Sequence, residues 1–506
     1  MSFYFTTAID YVNGQPHLGH AYEKIATDVL ARHRRQRGED VFFLTGTDEH
    51  GEPVADAAAA NGASPQEWAD RNAARFKALL PQLNISNDFF IRTTDPQHKA
   101  AVQRVMQTIY DNGYVYKGSY EGWYCPRCAD FKTESEVTDG NRCPIHEIEL
   151  IREQEENWFF KLSAFQGMLE TLYAEQPDFV LPERAMNETK AFVAQGLQDI
   201  SLSRSQLKWG VEVPWDPEHV FYVWFDALLN YYTALSYARP GEDLTERYWP
   251  AQFHVIGKDI LKFHTIFWPA MLTAAGLPLP EHVFVHGFLM AQDGRKMSKS
   301  LGNGLDPFEV MEQLGTDALR FYLMRVVQFG QDGNVGLEGC KSYYESELAN
   351  DYGNLASRTL AMITRYRDGI VPTVANDPLL AAEFTTLAEQ VADLFDRTET
   401  SQALDLIWQR VRRLNRYVEE CQPWQLAKDP LQAQQLDQTL ASLHEGLRVV
   451  SVLLHPYIPS SVEQLLVSMG TPALDYAAAN FATHGSGAAV DRLAPLFPKV
   501  AATETA

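Results

Sequence analysis

The first part of the chain alternates short apolar runs with a helix-like pattern. Apolar runs cover residues 3–9 and 41–44, and between them residues 21–37 carry apolar positions at helical spacing. Continuous apolar runs of this length are typical of parallel strands that are buried on both faces. A strand, a helix and a strand in this order predict an α/β sheet whose strand ends face a ligand.

This pattern is interrupted and then resumes. Between residues 116 and 215 it gives way to cysteines, turn residues and mixed charges, and it returns with apolar runs at 253–256 and 283–286. We therefore predict a parallel sheet that is interrupted by an insertion, with its second half supplying the other wall of an active site.

The last third of the chain has a helical pattern. One apolar stripe recurs at spacings of three and four, and it consists of Leu404, Ile407, Trp408, Val411, Leu414 and Val418. Such a stripe predicts an amphipathic helix in a helix bundle. Arg412, Arg413 and Arg416 lie largely off the stripe, where they are candidates for phosphate contact or simply form a solvated face.

A chain of 506 residues exceeds one ordinary core and should split into three or four domains. The transitions in the sequence divide it into five segments, two of which are halves of one domain. We predict the first half of the sheet domain at 1–115, an insertion at 116–215 and the second half of the sheet domain at 216–294. A lysine-containing connecting segment follows at 295–345, and a helical domain at 346–506.

Composition narrows the classes of function. The chain is 45% hydrophobic and 22% charged, as in ordinary globular proteins, and 43 Lys and Arg against 66 Asp and Glu leave a net charge of −23. This charge argues against a protein that coats nucleic acid, although a local basic stripe could still hold a shaped RNA. No apolar run approaches the ~20 residues of a membrane span, and the N-terminus lacks signal-peptide features. We expect a cytoplasmic protein that does not bind membranes.

The tetrapeptide His-Leu-Gly-His at residues 17–20 lies between the first predicted strand and the first predicted helix. A helix N-terminus presents backbone N–H groups and the positive end of the helix dipole, which suit an anion. Gly19 would let a flat base approach the backbone, and His17 and His20 could donate hydrogen bonds to phosphate oxygens. The position therefore predicts a phosphate-binding turn.

A second short motif, Lys-Met-Ser-Lys-Ser at residues 296–300, supplies positive charge. Lys296 and Lys299 lie three residues apart in a segment that Gly294, Gly302 and Gly304 leave free to move. Either motif alone is weak, because an HxGH tetrapeptide arises by chance and a Lys/Ser-rich stretch is usually a solvated loop. Together they favour a polyphosphate ligand.

Three of the five cysteines fall within one short window of the predicted insertion. Cys125, Cys128, Cys143 and His146 form a C-x2-C and a C-x2-H, the spacing of a closed tetrahedral Zn²⁺ site with no open position for catalysis. The alternative is a chance grouping of cysteines in a loop. Cys340 and Cys421 lie elsewhere, and we expect them to be ordinary buried thiols.

The two motifs and the sequences around them point to a known family. The chain resembles the class I aminoacyl-tRNA synthetases, and within that class the methionine-specific enzymes. The resemblance covers most of the chain and is carried by AIDYVNGQPHLGHAY (8–22), TGTDEHG (45–51), WYCPRC (123–128), YVWFDALLNY (222–231), GKDILKFHTIFWPAML (257–272), NLASR (354–358) and PWQLAK (423–428). It implies a Rossmann-like parallel sheet interrupted by a zinc-binding insertion and followed by an all-α helix bundle.

The resemblance also implies a reaction, the ATP-dependent activation of L-methionine and its transfer to the 3′ end of tRNA(Met), with AMP and pyrophosphate released. Mg²⁺ would accompany the ATP. The implied catalytic residues are His17, His20, Lys296 and Lys299. ATP would also contact Gly19, Met297 and Ser298. The resemblance places the α-ammonium group on Asp48 and the side-chain pocket at Ile9, Tyr11, Trp224, Ala227, Tyr231 and His264.

By the same resemblance, Asn354, Arg358 and Trp424 would read the CAU anticodon of elongator and initiator tRNA(Met). Splayed bases are usually held by aromatic stacking and by hydrogen bonds to their edges. The alternative is that Trp424 caps the bundle core and Arg358 is solvated, just as Trp224, Tyr231 and His264 could be plain core residues. Some members of the family carry a further strand-rich module, and no such stretch is evident in this sequence, so we expect a monomer.

Two other functions are consistent with parts of this pattern. One is a class I synthetase for another amino acid, such as isoleucine or cysteine, against which stand the small insertion and the residues around Trp224 and His264. The other is an RNA-binding relative without catalysis, against which stand the two intact motifs.

Overall fold

The computed structural model describes residues 2–126, 130–132, 137–138, 140–144, 147–295, 297, 304–482 and 484–499. The strands in these ranges are β1 (Ser2–Thr7), β2 (Asp10–Tyr11), β3 (Asp40–Asp48), β4 (Phe89–Arg92), β5 (Val115–Cys125), β6 (Asp130–Lys132), β7 (Ile151–Phe160), β8 (Val180–Leu181), β9 (Ile200–Ser201), β10 (Ser203–Arg204), β11 (Glu212–Val213), β12 (Asp216–Phe221), β13 (Phe253–Gly257), β14 (His282–His286), β15 (Leu289–Ala291) and β16 (Gly333–Val335).

The α-helices in the same ranges are α1 (Leu18–Gln36), α2 (Glu52–Ala60), α3 (Pro65–Gln82), α4 (Pro96–Asp111), α5 (Gln166–Glu175), α6 (Glu183–Val193), α7 (Val223–Ala227), α8 (Asn230–Thr233), α9 (Thr245–Tyr248), α10 (Trp268–Ala275), α11 (Pro307–Leu314), α12 (Thr316–Val326), α13 (Leu337–Tyr343), α14 (Asn354–Arg367), α15 (Pro378–Ala382), α16 (Leu387–Asp396), α17 (Thr400–Cys421), α18 (Pro423–Leu426), α19 (Ala433–Leu454) and α20 (Pro459–Ser468). Shorter 3-10 turns lie at Leu162–Phe165, Ala234–Ser236, Lys258–Ile260, Pro430–Gln432 and Tyr476–Ala478, and π-helical segments at Phe263–Phe267 and Tyr344–Gly353.

The chain folds as two compact units. The first comprises Met1–Pro16, Val41–Pro81 and Ser86–His286, and the second comprises His17–Asp40, Gln82–Ile85 and Gly287–Ala506. The helix that begins with the His-Leu-Gly-His motif therefore belongs to the second unit, whereas most of β3, which follows it, belongs to the first.

A parallel sheet forms the centre of the first unit. Its strands are ordered β2, β3, β1, β13, β14 and β8, with β4 pairing on β3. β13 pairs in parallel with both β1 and β14, and β3 pairs in parallel with β4. Apolar side chains of these strands, among them Leu44, Ile91, Ile256 and Val283, are fully buried in one core. The predicted α/β sheet, formed from distant parts of the chain, is confirmed.

A second, antiparallel sheet lies in the sequence between β4 and β13. Its strands are ordered β6, β5, β7 and β9, with β5 and β7 paired from Val115 and Phe160 to Tyr124 and Ile151. Most strands of the parallel sheet come from the two sides of this interruption, but β8 lies within it and pairs in parallel with β14. The predicted insertion at 116–215 therefore also contributes one edge strand to the parallel sheet.

The second unit contains the helical part of the chain. The apolar stripe predicted between Leu404 and Val418 lies on α17 and is buried along its whole length. α17 packs against α19, α16, α14 and α12. Among the residues that the structure describes, no helix combines the length and apolar character needed to cross a membrane.

Several predicted boundaries differ from the observed ones. The first helix begins at Leu18, not at residue 21, because His17 caps it. The first strand ends at Thr7, and β3 continues to Asp48 rather than ending at residue 44. Cys340 is buried, as predicted, but Cys421 is only partly buried, so the prediction of a buried thiol there was wrong.

Candidate active site

In the first unit, β3 leads directly into a tight turn formed by residues 48–51. Gly51 has a φ of 89°, and a Cβ at this position would lie 3.3 Å from the side chain of Val223 at the start of α7. The left-handed backbone and the close approach both favour glycine. The turn is therefore fixed against α7, and it places Asp48, Glu49 and His50 at the carboxyl end of the strand.

Glu49 anchors this turn on one side. Its fully buried carboxylate accepts hydrogen bonds from Arg92 Nε at 2.7 Å and Nη2 at 2.8 Å, from Thr47 Oγ1 at 2.7 Å, and from Thr94 Oγ1 at 2.5 Å. Trp209 Nε1 donates to the carbonyl of Glu49 at 2.6 Å. The charged, bidentate pair between Arg92 and Glu49 gives the backbone of the turn a defined position.

Asp48 is buried, yet part of its carboxylate is not satisfied. Its Oδ1 has no hydrogen-bond partner among the described residues. Burial, followed by the negative charges of Asp226 and Glu49, raises the pKa of Asp48 well above its usual value. A buried acceptor without a donor is costly, so this oxygen is suited to a cationic hydrogen-bond donor from a ligand.

A second buried carboxylate lies behind the first. Asp226 Oδ2 accepts from His50 Nδ1 at 2.5 Å, and its Oδ1 accepts from His98 Nε2 at 2.7 Å. Burial alone would raise the pKa of Asp226, but the charges and hydrogen bonds of the two histidines lower it to about 2. Asp226 is therefore ionised and fully engaged by the protein.

Aromatic side chains from several elements form the adjoining apolar wall. Trp224 on α7 stacks on Phe263, with ring centroids 3.8 Å apart and an interplanar angle of 4°. Its edge contacts with Tyr11 and His264 have centroid separations of 6.4 and 6.2 Å. Ile9 and Tyr11 are partly buried and pack against the cluster that contains Trp224.

The predicted pocket residues Tyr231 and His264 form one hydrogen-bonded pair. His264 lies in the π-helical segment, and its Nδ1 lies 3.0 Å from the carbonyl of Ile260. A carbonyl can only accept, so Nδ1 carries a proton, and Nε2 of the same ring forms a hydrogen bond with Tyr231 Oη at 2.7 Å. Ala227 ends α7 and is buried. The structure thus brings Trp224, Tyr231 and His264 together.

In the second unit, the His-Leu-Gly-His motif caps α1. His17 is the N-cap residue, and its Nδ1 accepts from the backbone N–H of Gly19 at 3.1 Å. His20 Nδ1 accepts from the backbone N–H of His17 at 3.1 Å, and the two rings stack with centroids 3.7 Å apart. The expectation that these two backbone N–H groups are free for an anion was therefore wrong, because the imidazoles accept from them.

This capping arrangement fixes the tautomers of both rings. A neutral imidazole whose Nδ1 accepts must carry its proton on Nε2, so Nε2 is the donor atom of each ring. Loss of solvent, with a smaller effect of the Lys24 charge, lowers the pKa of His20 to about 3, so this ring is neutral near pH 7. A Cβ on Gly19 would lie 3.1 Å from His17 Cε1, so glycine leaves room for the His17 ring.

Part of each remaining predicted site lies outside the described residues. Lys296, Ser298, Lys299, Cys128 and His146 are among those not described, whereas Met297 is described and partly buried. Cys125 and Cys143 are completely buried and belong to one small cluster with Leu150. In the described part of the chain, no group of three or more potential metal ligands is found.

The three residues predicted to read an anticodon lie on two helices of the second unit. Asn354 is exposed at the start of α14, and Arg358 follows it by one turn. Arg358 Cζ lies 6.0 Å from the centre of the Trp424 ring, and its Nη2 donates to Glu419 Oε1 at 2.7 Å. The structure thus places Arg358 and Trp424 together, with Asn354 on the same helix as Arg358.

The arginines of α17 are largely paired with acidic residues. Arg412 bonds to Glu347 at 2.7 Å, and Arg413 bonds to Glu383 at 2.9 Å and to Glu420 at 3.1 Å. Arg416 is exposed. Pairing within the unit lowers the positive charge that Arg412 and Arg413 can offer to a phosphate.

Comparisons with proteins of known function point to one family. The family model described as "tRNA synthetases class I (M)" matches residues 3–149 and 139–360. A methionine–tRNA ligase of Caldanaerobacter subterraneus is 43% identical over 99% of this chain and 79% of its own length. The methionine–tRNA ligase of Streptomyces coelicolor is 45% identical over 99% of this chain and 97% of its own length.

A solved structure extends the similarity to the fold. The methionyl-tRNA synthetase of Mycobacterium tuberculosis, solved in complex with methionyl-adenylate, is 41% identical, with a TM-score of 0.94 over 98% of this chain and 100% of that one. The chain therefore belongs to the methionyl-tRNA synthetase family of class I aminoacyl-tRNA synthetases.

Proposed function

We propose that the chain activates L-methionine with ATP and transfers it to the 3′ end of tRNA(Met), releasing pyrophosphate and AMP. The carboxylate of the amino acid attacks the α-phosphorus, pyrophosphate leaves, and the terminal ribose hydroxyl of the tRNA then attacks the adenylate. Mg²⁺ bound with the ATP would neutralise phosphate charge. Phosphoryl chemistry of this kind asks the protein mainly for positioning and for donors where charge develops.

The observation that carries this proposal is the buried Asp48 carboxylate beside an aromatic wall. Its Oδ1 lacks a partner among the described residues, and an α-ammonium group would supply the missing donor and charge. A polarizable thioether packs well against aromatic faces such as that of Trp224. We assign the side-chain pocket to Ile9, Tyr11, Trp224, Ala227, Tyr231 and His264.

The triphosphate is assigned to the two short motifs. His17 and His20 would donate from Nε2, and Lys296 and Lys299 would supply positive charge. Gly19, Met297 and Ser298 complete the proposed contacts to ATP. The structure supports the histidine part of this proposal, since both Nδ1 atoms already accept from backbone N–H groups.

We also propose one structural Zn²⁺ held by Cys125, Cys128, Cys143 and His146. Two of these ligands fit the proposal, because Cys125 and Cys143 are buried in one cluster although they lie 18 positions apart. Metal analysis should find about one zinc per chain. We expect Cys125→Ser to lose it and Cys340→Ser to retain it; equal zinc in both variants would contradict the site.

The helices of residues 346–506 are proposed to form a bundle that reads the anticodon through Asn354, Arg358 and Trp424. The Arg358 guanidinium lies 6.0 Å from the centre of the Trp424 ring, which supports the proposal because a splayed base can stack on an aromatic ring and accept hydrogen bonds from an arginine. We propose the other segments at the bounds predicted from the sequence, which are 1–115, 116–215, 216–294 and 295–345. We propose a cytoplasmic monomer; light scattering at the mass of a dimer would contradict this.

Exchange of pyrophosphate into ATP, measured with a panel of amino acids, tests the proposed reaction. We expect exchange that depends on methionine. Stimulation by isoleucine or cysteine without methionine would show a synthetase of other specificity. Binding of tRNA without exchange by any amino acid would favour an RNA-binding relative that lacks catalysis.

Asp48→Asn should weaken methionine binding and stabilise the free protein. Loss of a charged hydrogen bond should raise the KM for methionine about tenfold to a hundredfold. The pKa of Asp48 is higher in the folded than in the unfolded protein, so its ionised form destabilises the fold at neutral pH, and a neutral amide removes that cost. Kinetics and thermal unfolding in parallel check both parts. An unchanged KM, or a lower Tm, would contradict the assignment.

A further inference from the structure

The Asp226 carboxylate connects three elements behind the proposed methionine pocket. It lies on α7 between Trp224 and Ala227, and its side chain is almost completely buried. One oxygen accepts from His50 in the turn after β3, and the other accepts from His98 on α4. The aromatic wall and the turn that carries the ammonium ligand are thus joined through one side chain.

His50 links Asp226 to Asp48 through its own backbone. It lies two residues after Asp48, and its backbone N–H faces the Asp48 carboxylate and favours the ionised form. The His50 ring is held by Asp226 at 2.5 Å. The bond to Asp226 therefore restrains the residue whose backbone faces Asp48, because ring and backbone belong to one residue of a tight turn.

The two carboxylates also interact through their charges. Asp226 is engaged on both oxygens by imidazole N–H groups, whereas Asp48 Oδ1 has no hydrogen-bond partner in the described part of the chain. Two buried carboxylates near each other repel, and a cation at the unpaired one relieves the repulsion. An entering ammonium group would thus be favoured by both charges, although it contacts only Asp48.

We infer that Asp226 is a positioning residue for the amino acid's ammonium group, acting through His50 to hold Asp48 in its binding position. This inference rests on the proposed function, since the ammonium group is that of the methionine substrate. Asp226 itself touches neither methionine nor ATP in this assignment. Its effect must therefore depend on Asp48, and this dependence separates it from a residue that only packs α4 against α7.

A double-mutant cycle in the full chain tests this dependence. We expect Asp226→Asn to raise the KM for methionine in pyrophosphate exchange about tenfold, with the KM for ATP changed by less than about twofold. In the Asp48→Asn background the same change should add less than about twofold, because the group it positions is already lost. Losses that multiply in the double variant would overturn the inference.

Variants of His50 test the same link without altering Asp226. His50→Leu removes the side-chain donor and should raise the KM for methionine about tenfold, like Asp226→Asn. His50→Asn places an amide N–H near the position of Nδ1 and should restore the KM to within about threefold of the unmodified chain. Equal losses in both His50 variants would overturn the inference, and this comparison also serves if Asp226→Asn does not fold.

Thr233→Val provides a control in the same buried network. Thr233 Oγ1 lies 2.7 Å from His98 Nδ1, on the side away from His50. We expect its KM for methionine to stay within about twofold of the unmodified chain. A tenfold loss would show that packing in general, not the His50 link, matters. Absence of methionine-dependent exchange in the unmodified chain would instead refute the proposed function, and the inference with it.

Discussion

Replacing Arg320 with methionine is expected to lower the apparent free energy of unfolding by about 3–5 kcal/mol, because it breaks a buried ion pair on one side. The fully buried guanidinium donates to Asp28 Oδ2 at 2.8 Å. It also donates to four backbone carbonyls, those of Leu83, Asn84, Pro456 and Tyr457, at 3.0, 3.3, 2.8 and 3.1 Å. Urea unfolding followed by circular dichroism measures the loss.

The size of this effect follows from what the substitution leaves behind. Methionine fills much of the volume but donates nothing, so several buried carbonyls lose a partner and Asp28 retains Arg32 Nε at 2.7 Å. Arg397→Met is the matched control, since its pair with Glu399 is largely exposed and should contribute less than about 1 kcal/mol. A loss below about 1 kcal/mol in Arg320→Met would contradict the proposed role.

The repeating patterns of the sequence predicted the elements but not their ends. The strands at 3–9, 253–256 and 283–286 are visible in the sequence because burial on both faces requires a continuous apolar run. The α17 stripe is visible because burial of one helical face requires apolar residues at helical spacing. The start of α1 was misplaced by three residues because His17 is an unusual cap residue, and a cap depends on side-chain geometry rather than on periodicity.

The supporting contacts of the candidate site could not be predicted in the same way. His50 and Asp226 are 176 positions apart, and His98 and Asp226 are 128 apart, so no local pattern records their contact. The motifs TGTDEHG and YVWFDALLNY contain Glu49, His50 and Asp226, but the resemblance assigns roles only to Asp48, Trp224, Ala227 and Tyr231 in them. Phe263 was also missed, although it precedes the assigned His264 and stacks on Trp224.

The sequence also did not predict which residues pair with the arginines of α17. Arg412 and Arg413 lie off the apolar stripe, as predicted, but each pairs with acidic residues of the same unit. The net charge of −23 means that acidic residues outnumber basic ones, so an arginine can readily find an acidic neighbour in the folded chain. The sequence shows that a side chain lies off the core, but the pairing depends on which helices become neighbours.

His20→Asn is expected to slow adenylate formation by about a hundredfold to a thousandfold, the usual cost of removing one donor to a developing charge. The two nitrogens of His20 have separate tasks: Nδ1 accepts from the backbone N–H of His17 at 3.1 Å, and Nε2 carries the donor proton. Asparagine can keep the acceptor near Nδ1 and lacks the distal donor. Single-turnover formation of methionyl-adenylate measures the rate directly.

His20→Gln is the matched variant. Its longer side chain places an amide donor near the position of Nε2, but it leaves the acceptor near Nδ1, and therefore the helix cap, less well formed. We expect it to retain more activity than His20→Asn but to lose about 1 kcal/mol of stability, the usual value of a helix cap. Since the pKa of His20 is lowered to about 3, the activation rate should show no step from this ring between about pH 5 and 8. If His20→Asn formed the adenylate faster than His20→Gln, the donor role would be contradicted, because the acceptor that caps the helix would then be sufficient for the reaction.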